Sequence, residues 1–231
     1  MRYWEIDFAR GIAVILMLVY HFLFDMYYFG KINLSFEVLY YVPRFIASMF
    51  IFISGLCLSI SYRNGCLHRK LKRAMKLLSL AVLITFATYL LIGDGFVVFG
   101  ILHFFSVAIV LGLLFVRRPV ISFIVGIVII LLGIPLSYLR FPTYSFLWLG
   151  LIPDGFYTLD YVPLIPWFGV FLLGVSFGSM YRPLKDLKFP LRDFITLLGR
   201  NSLKIYMIQH PIIVLILQLY YGDIIKMLLN S

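Results

Sequence analysis

The chain has 231 residues, of which 63% are hydrophobic and 13% are charged, and its mean hydropathy is +1.02. Soluble domains are roughly 45–50% apolar, so this composition excludes an ordinary soluble enzyme. A net charge of +10 would suggest a nucleic-acid partner in a soluble protein. Here the basic residues occupy short loops between apolar segments, so we expect no nucleic acid to bind.

Apolar segments predict an all-α fold, namely a polytopic transmembrane helical bundle of about seven spans. Each segment has 18 or more mostly apolar residues, which is long enough to cross a bilayer as a helix. The alternating ten-residue pattern of a transmembrane barrel is not visible. The predicted spans are 7–28, 39–61, 75–92, 97–116, 119–138, 161–180 and 201–221. We expect them to form one domain over residues 1–231.

Two further segments are ambiguous in the sequence. Residues 139–160 are compatible with a re-entrant turn around 146–152. Residues 187–198 are short and charged, which is typical of an amphipathic helix at the membrane interface.

The basic residues predict how the chain is oriented. If the seven spans alternate, sixteen of the twenty Lys and Arg residues lie on the side of the N-terminus. Because cytoplasmic loops carry an excess of Lys and Arg, we expect the N-terminus inside and the C-terminus outside. The sequence therefore predicts a multi-pass protein of the cell membrane, in contact with membrane lipids.

The first span carries two polar groups that are costly to bury. A charged side chain inside a bilayer costs at least about 2.5–3.5 kcal/mol, so Arg10 and His21 are candidate functional residues. Their spacing of eleven residues corresponds to roughly 16 Å along a helix. Asp25 follows His21 by one turn, so it could orient the imidazole or simply mark the end of the span. Asp7 and Arg10 could form a purely structural pair, or Arg10 could bind an anion.

The last span repeats this layout. Arg200 lies at its start, and His210 lies about 12 Å deeper along the helix. Asn201 or Ser202 is a suitable N-cap, and a helix start beside cationic residues favours anions. With His103, three histidines fall in predicted spans. They predict a shared polar cavity with a general base, although each alone could be packing held by a hydrogen bond.

The second span and the loop after it carry further residues of interest. Ser54 and Gly55 favour close packing of helices. The segment 63–76 carries six basic residues and could contact lipid headgroups or receive a phosphorylated cofactor. The Cys and His spacings match no metal site, so we expect no metal.

Several motifs together resemble one family. They are Asp7-Phe-Ala-Arg10-Gly11, the Arg10-x10-His21 spacing, Met49 to Gly55, Phe99 to Phe104, Asp160 to Trp167, and Leu198-Gly-Arg-Asn201-Ser202-x3-Tyr206. The chain is similar in them to a small, prokaryotic-type member of the heparan-α-glucosaminide N-acetyltransferase catalytic-domain family, within the wider transmembrane acyltransferase superfamily.

The resemblance implies that an acyl group moves from cytosolic acetyl-CoA, or another acyl-CoA, to an amino or hydroxyl group on the far side of the membrane. It implies a central role for Arg10 and His21. We expect the catalytic residues to be His21, Asp25, Arg10, His103 and His210. We expect the donor to contact Arg10, Arg200, Asn201, Ser202, Ser54 and Tyr206.

The expected partners are acyl-CoA and a glycan or lipid-linked acceptor, and a homodimer is compatible with the sequence. Two other functions stay open. The chain could be a non-catalytic binding or assembly protein of the same fold, or a transporter of small solutes or lipids. Breaks at matching places in two halves, which are typical of inverted-repeat transporters, are absent from the sequence.

Overall fold

The computed structural model describes residues 3–63, 67–222 and 224, and in them the chain is helical with no β-strand. These residues form eight α-helices: α1 (Trp4–Tyr28), α2 (Phe36–Arg63), α3 (Leu67–Ile92), α4 (Ile101–Gly112), α5 (Pro119–Leu136), α6 (Leu164–Met180), α7 (Arg192–Arg200) and α8 (Ser202–Tyr221). A 3-10 helix (Tyr144–Leu149) lies between α5 and α6.

The helical membrane bundle is confirmed. Five helices (α1, α2, α3, α5 and α8) are long and apolar enough to cross a membrane, and α4 and α6 are shorter apolar helices. Each of the seven predicted spans therefore coincides with an apolar helix. Many large apolar side chains on these helices are exposed, which suits contact with lipid. The inside–outside orientation stays a prediction.

Two of the apolar helices are shorter than the predicted spans 97–116 and 161–180. Helix α4 ends at Gly112, and the residues after it form turns. Helix α6 begins at Leu164, with Pro163 as its N-cap and a cis peptide bond before Pro166. Proline has no backbone N–H to donate, so it favours a helix start and disfavours a helix interior.

The chain divides into two compact units, with a boundary inside α2. The first unit comprises Met1–Phe50 and Arg182–Ser231, and the second comprises Ile51–Tyr181. The expectation of one domain over residues 1–231 stays a prediction.

In the first unit, the backbones of α1 and α7 touch. A Cβ added to Gly11 would clash with the carbonyl of Ile195, and one added to Gly199 would clash with the carbonyl of Asp7. Small residues allow this close approach, as they commonly do between membrane helices. The contact fixes the end of α7, and so Arg200, against the first turns of α1.

The predicted helix over 187–198 begins later than expected. Helix α7 starts at Arg192, and most of 182–190 has no regular secondary structure. Pro190 disfavours a helical residue before it, and Leu191 adopts a left-handed conformation with φ 63°. The helical prediction is therefore correct only for the second half of the segment.

In the second unit, α5 packs on α6 and α3 on α4. Phe104, Phe171 and Leu172 are fully buried in it. The segment 139–160 contains the 3-10 helix, which ends at a left-handed Gly150. The re-entrant position of this segment stays a prediction.

Candidate active site

Helices α1 and α8 run side by side in the same direction. Near their starts, Arg200 Nε lies 3.3 Å from Asp7 Oδ2. Farther along, the ring centroids of His21 and His210 are 4.6 Å apart. The matching layouts seen in the sequence are thus brought together in space. When the number of spans is odd, the first and last spans cross the membrane in the same direction, as α1 and α8 do.

The histidine end of this helix pair contains a second polar contact. The rings of His21 and His210 meet at an interplanar angle of 32°. Asp25 Oδ2 lies 3.1 Å from His210 Nδ1. The Asp25 side chain is 9% exposed, whereas that of His210 is 48% exposed. The cluster is therefore reachable through His210 while its carboxylate stays buried.

The partner of Asp25 differs from the one expected. The i,i+4 spacing suggested that Asp25 would orient His21, but its hydrogen bond goes to His210. Helix α8 places the ring of His210 against the face of α1 that carries both residues. A charge-assisted bond to a neighbouring helix thus replaces the local pairing.

Gln209 belongs to the same cluster, and the sequence analysis missed it. Gln209 is 2% exposed, and its side chain interacts with the imidazole of His21. Neither amide atom of Gln209, nor Nδ1 of His21, meets a hydrogen-bond partner with acceptable geometry, although all three atoms are buried. A neutral amide inside an apolar span is a signal that could have revealed it.

At the other end of the helix pair, one carboxylate forms ion pairs with two arginines. Asp7 accepts a hydrogen bond from Arg10 Nη1 at 3.2 Å and one from Arg200 Nε at 3.3 Å. The side chains of Asp7, Arg10 and Arg200 are 10%, 19% and 45% exposed. The structural pairing that the sequence left open is therefore present. These three side chains together carry two positive charges and one negative charge.

The segment that joins α7 to α8 differs from the expected cap. Asn201 is the N-cap residue of α8, but it makes no side-chain cap hydrogen bond. Its Nδ2 donates instead to the carbonyl of Leu197, in the last turn of α7. Ser202 begins α8, and Tyr206 packs against the core that includes Val14 and Met17. Asn201 directly follows the last residue of α7, so its side chain can reach back to the Leu197 carbonyl, which also accepts a hydrogen bond from the Asn201 backbone N–H.

Ser54 and His103, the remaining expected residues, lie in the second unit. His103 stacks on Phe99 with ring centroids 5.6 Å apart. Ser54 lines a small cleft with Leu58, Ser61, Lys70, Arg73 and Ile109. Lys70 is 8% exposed, and its Nζ donates to the carbonyl of Ser61 at 2.8 Å. Lys70 therefore satisfies a carbonyl near the end of α2, a common role for lysine at a helix C-terminus.

The described residues contain no group of three or more His, Cys, Asp or Glu side chains that could hold a metal ion. The polar groups of the α1–α8 pair are instead imidazoles, an amide, carboxylates and guanidiniums. Imidazoles and carboxylates can transfer protons, guanidiniums can bind anions, and the amide can donate and accept hydrogen bonds.

Comparison with known proteins gives one match. The family model described as "Heparan-alpha-glucosaminide N-acetyltransferase, catalytic" matches residues 2–211. Neither the comparison with curated proteins nor that with solved structures gives a match. The family match runs from the ion pair in α1 to the histidine in α8. The chain therefore belongs to the heparan-α-glucosaminide N-acetyltransferase catalytic-domain family.

Proposed function

We propose that this protein is an acyltransferase of the cell membrane that moves an acetyl or other acyl group from cytosolic acyl-CoA to an amino or hydroxyl group of a sugar acceptor at the outer face. The observation that carries the proposal is the cluster of His21, His210 and Asp25 between two parallel apolar helices. Imidazole is the side chain whose ordinary protonation range suits general acid–base catalysis near neutral pH.

The proposed chemistry needs one group that first accepts a proton and then returns it. The nitrogen or oxygen of the acceptor attacks the thioester carbonyl carbon, and His21 takes up the proton that the acceptor loses. When the carbon–sulfur bond breaks, the same imidazole gives the proton to sulfur, so CoA leaves as a free thiol. Alternatively, a nitrogen of the His21 ring attacks the carbonyl carbon, the carbon–sulfur bond breaks, and CoA leaves as a thiolate that takes up the ring proton. The acceptor then attacks the acyl-imidazole, its proton passes to the ring, and the His21 nitrogen is released.

The neighbours of His21 support this assignment. His210 is a second imidazole in ring contact with it, and Asp25 holds the orientation of His210 through its hydrogen bond. An imidazole held by a carboxylate is the arrangement that catalytic triads use to fix a histidine. His103 stays a candidate catalytic residue of the second unit.

The Arg10 end of the helix pair is where we propose that the donor is held. Acyl-CoA carries several phosphate groups, and guanidinium groups bind phosphate through charge-assisted hydrogen bonds. The ion pair of Arg10 and Arg200 with Asp7 keeps a net positive charge. Asn201, Ser202 and Tyr206 follow Arg200 on the same chain segment and complete the proposed contacts there. Ser54 stays a candidate donor contact of the second unit.

Vectorial transfer tests this function. Membrane vesicles that expose the cytosolic face are loaded with glucosamine, and acetyl-CoA labelled in the acetyl group is added outside. We expect labelled N-acetylglucosamine to form in the vesicle interior and CoA thiol to appear outside in equal amounts. Vesicles without the protein give the background.

The outcomes separate the proposal from the two other functions. A transporter would carry label or solute without releasing thiol. A non-catalytic binding protein would give neither product. Continuous thiol release without acceptor, beyond one equivalent per protein, would show hydrolysis and would contradict acyl transfer to a sugar.

A further inference from the structure

Three buried polar atoms on the neighbouring helices α1 and α8 lack satisfied hydrogen bonds. They are Nδ1 of His21 and the two polar atoms of the Gln209 amide. Gln209 is 2% exposed, directly precedes His210 in α8, and interacts with His21 through its side chain. Polar atoms this deeply buried are normally hydrogen-bonded, so an unsatisfied set beside a candidate catalytic group is itself informative.

The two nitrogens of His21 are not equivalent in this environment. Nδ1 is buried and has no hydrogen-bond partner with acceptable geometry. A neutral imidazole carries its proton on one nitrogen and offers a lone pair on the other. If the proton is on Nδ1, the lone pair is on Nε2, which is then free to accept a proton. The hydrogen bond made at Nδ1 decides which of these two forms is present.

The other neighbours of His21 do not supply that acceptor. Asp25, one turn along α1, is hydrogen-bonded to His210. His210 meets His21 through its ring, and its Nδ1 is engaged by Asp25. The side chain of Gln209 interacts with the His21 imidazole, and its amide oxygen is a neutral acceptor.

We infer that Gln209 is a positioning residue, whose Oε1 accepts a hydrogen bond from Nδ1–H of His21 and so keeps the Nε2 lone pair available for catalysis. This inference rests on the proposed function for its role in turnover. The tautomer itself exists whether or not the protein transfers acyl groups. Gln209 acts through His21 and need not touch the substrate.

Two variants separate acceptor from donor roles. Gln209→Met is similar in size but has no hydrogen-bonding oxygen or nitrogen. Gln209→Glu keeps an acceptor oxygen at the same place. Gln218→Met is the matched control, because Gln218 is on the same helix and its amide donates to the Gly222 carbonyl.

We expect Gln209→Met to lower kcat about 10- to 100-fold, a part of the roughly 10²–10⁴-fold that a positioned base contributes. The KM for acyl-CoA should stay within about twofold, because the proposed donor contacts lie at the other end of the helix pair. Gln209→Glu should recover most of kcat, and Gln218→Met should match the wild type. An equal loss in the Glu and Met variants would overturn the acceptor role.

The tautomer is measured independently of activity. In ¹⁵N-histidine-labelled protein in detergent, two-bond ¹H–¹⁵N correlations distinguish the Nδ1–H and Nε2–H forms, and His21→Ala assigns the signal. We expect the Nδ1–H form in the wild type and its loss in Gln209→Met. An Nε2–H form in the wild type, or an unchanged tautomer in Gln209→Met, would refute the inference. An Nδ1–H form in a protein without acyl transfer would refute only the proposed function.

Discussion

Replacing Asp7 with asparagine removes a carboxylate that two arginines share. The Asp7 residue as a whole is 7% exposed. Its Oδ1 lies 3.2 Å from Arg10 Nη1, and its Oδ2 lies 3.3 Å from Arg200 Nε. The substitution preserves the shape of the side chain but removes the negative charge that both guanidinium groups contact. The Arg10 side chain, which is 19% exposed, cannot regain full hydration where it stands.

The expected loss of stability follows from these exposures. Removing one partner of a buried ion pair costs about 3–5 kcal/mol. Arg200 is 45% exposed, so its contact adds no more than about 1 kcal/mol. For a chain of this size 1 kcal/mol corresponds to about 2–4 °C, so the melting temperature should fall by on the order of 10 °C.

The assay is thermal unfolding of the purified protein in detergent, and the chain provides a control. Asp193 also neighbours an arginine, with its Oδ1 3.9 Å from Arg192 Nε, but its side chain is 99% exposed. Asp193→Asn should change stability by less than about 0.5 kcal/mol. If Asp7→Asn melts at the same temperature as Asp193→Asn, the ion pair does not hold α1 against the end of α7, and the reasoning is wrong.

Three further predictions concern the site and the topology. Arg10→Gln and Arg200→Gln should each weaken acyl-CoA binding, with an affinity that falls as salt rises; unchanged affinity with lower thermal stability would make both arginines structural. Asp25→Asn should lower kcat about tenfold or more, because His210 loses a charge-assisted hydrogen bond of roughly 1.5–3 kcal/mol; wild-type turnover would remove Asp25 from the mechanism. A reporter fused to the C-terminus should be active only outside the cytoplasm, and cytoplasmic activity would overturn the orientation.

The fold was predictable because its signal is local. The length and hydropathy of each apolar segment predict a membrane helix, whatever the sequence of the other segments. The errors occurred where individual residues shift a helix boundary, as Pro190 and Leu191 do at the start of α7. Hydropathy averages over a window and does not detect such a change.

The site was predictable only in part because its contacts join distant segments. The sequence identified Arg10, His21 and His210, since charged and titratable groups are conspicuous in apolar spans. The spacing of His21 and Asp25 suggested a local pair, whereas Asp25 bonds across to α8. No spacing rule relates residue 25 to residue 210. Gln209 went unnoticed because it is neutral and stands beside a histidine.

The central claim is that acyl transfer takes place at His21, and comparison of two histidine variants tests it most directly. His21→Ala and His68→Ala are purified and reconstituted into liposomes, and release of CoA thiol from acetyl-CoA is followed with glucosamine present. His68 is exposed near the start of α3 and serves as the matched control. We expect His68→Ala to match the wild type and His21→Ala to fall to the background of protein-free liposomes while it still folds, as judged by its melting transition. Wild-type turnover in a folded His21→Ala protein would contradict the account.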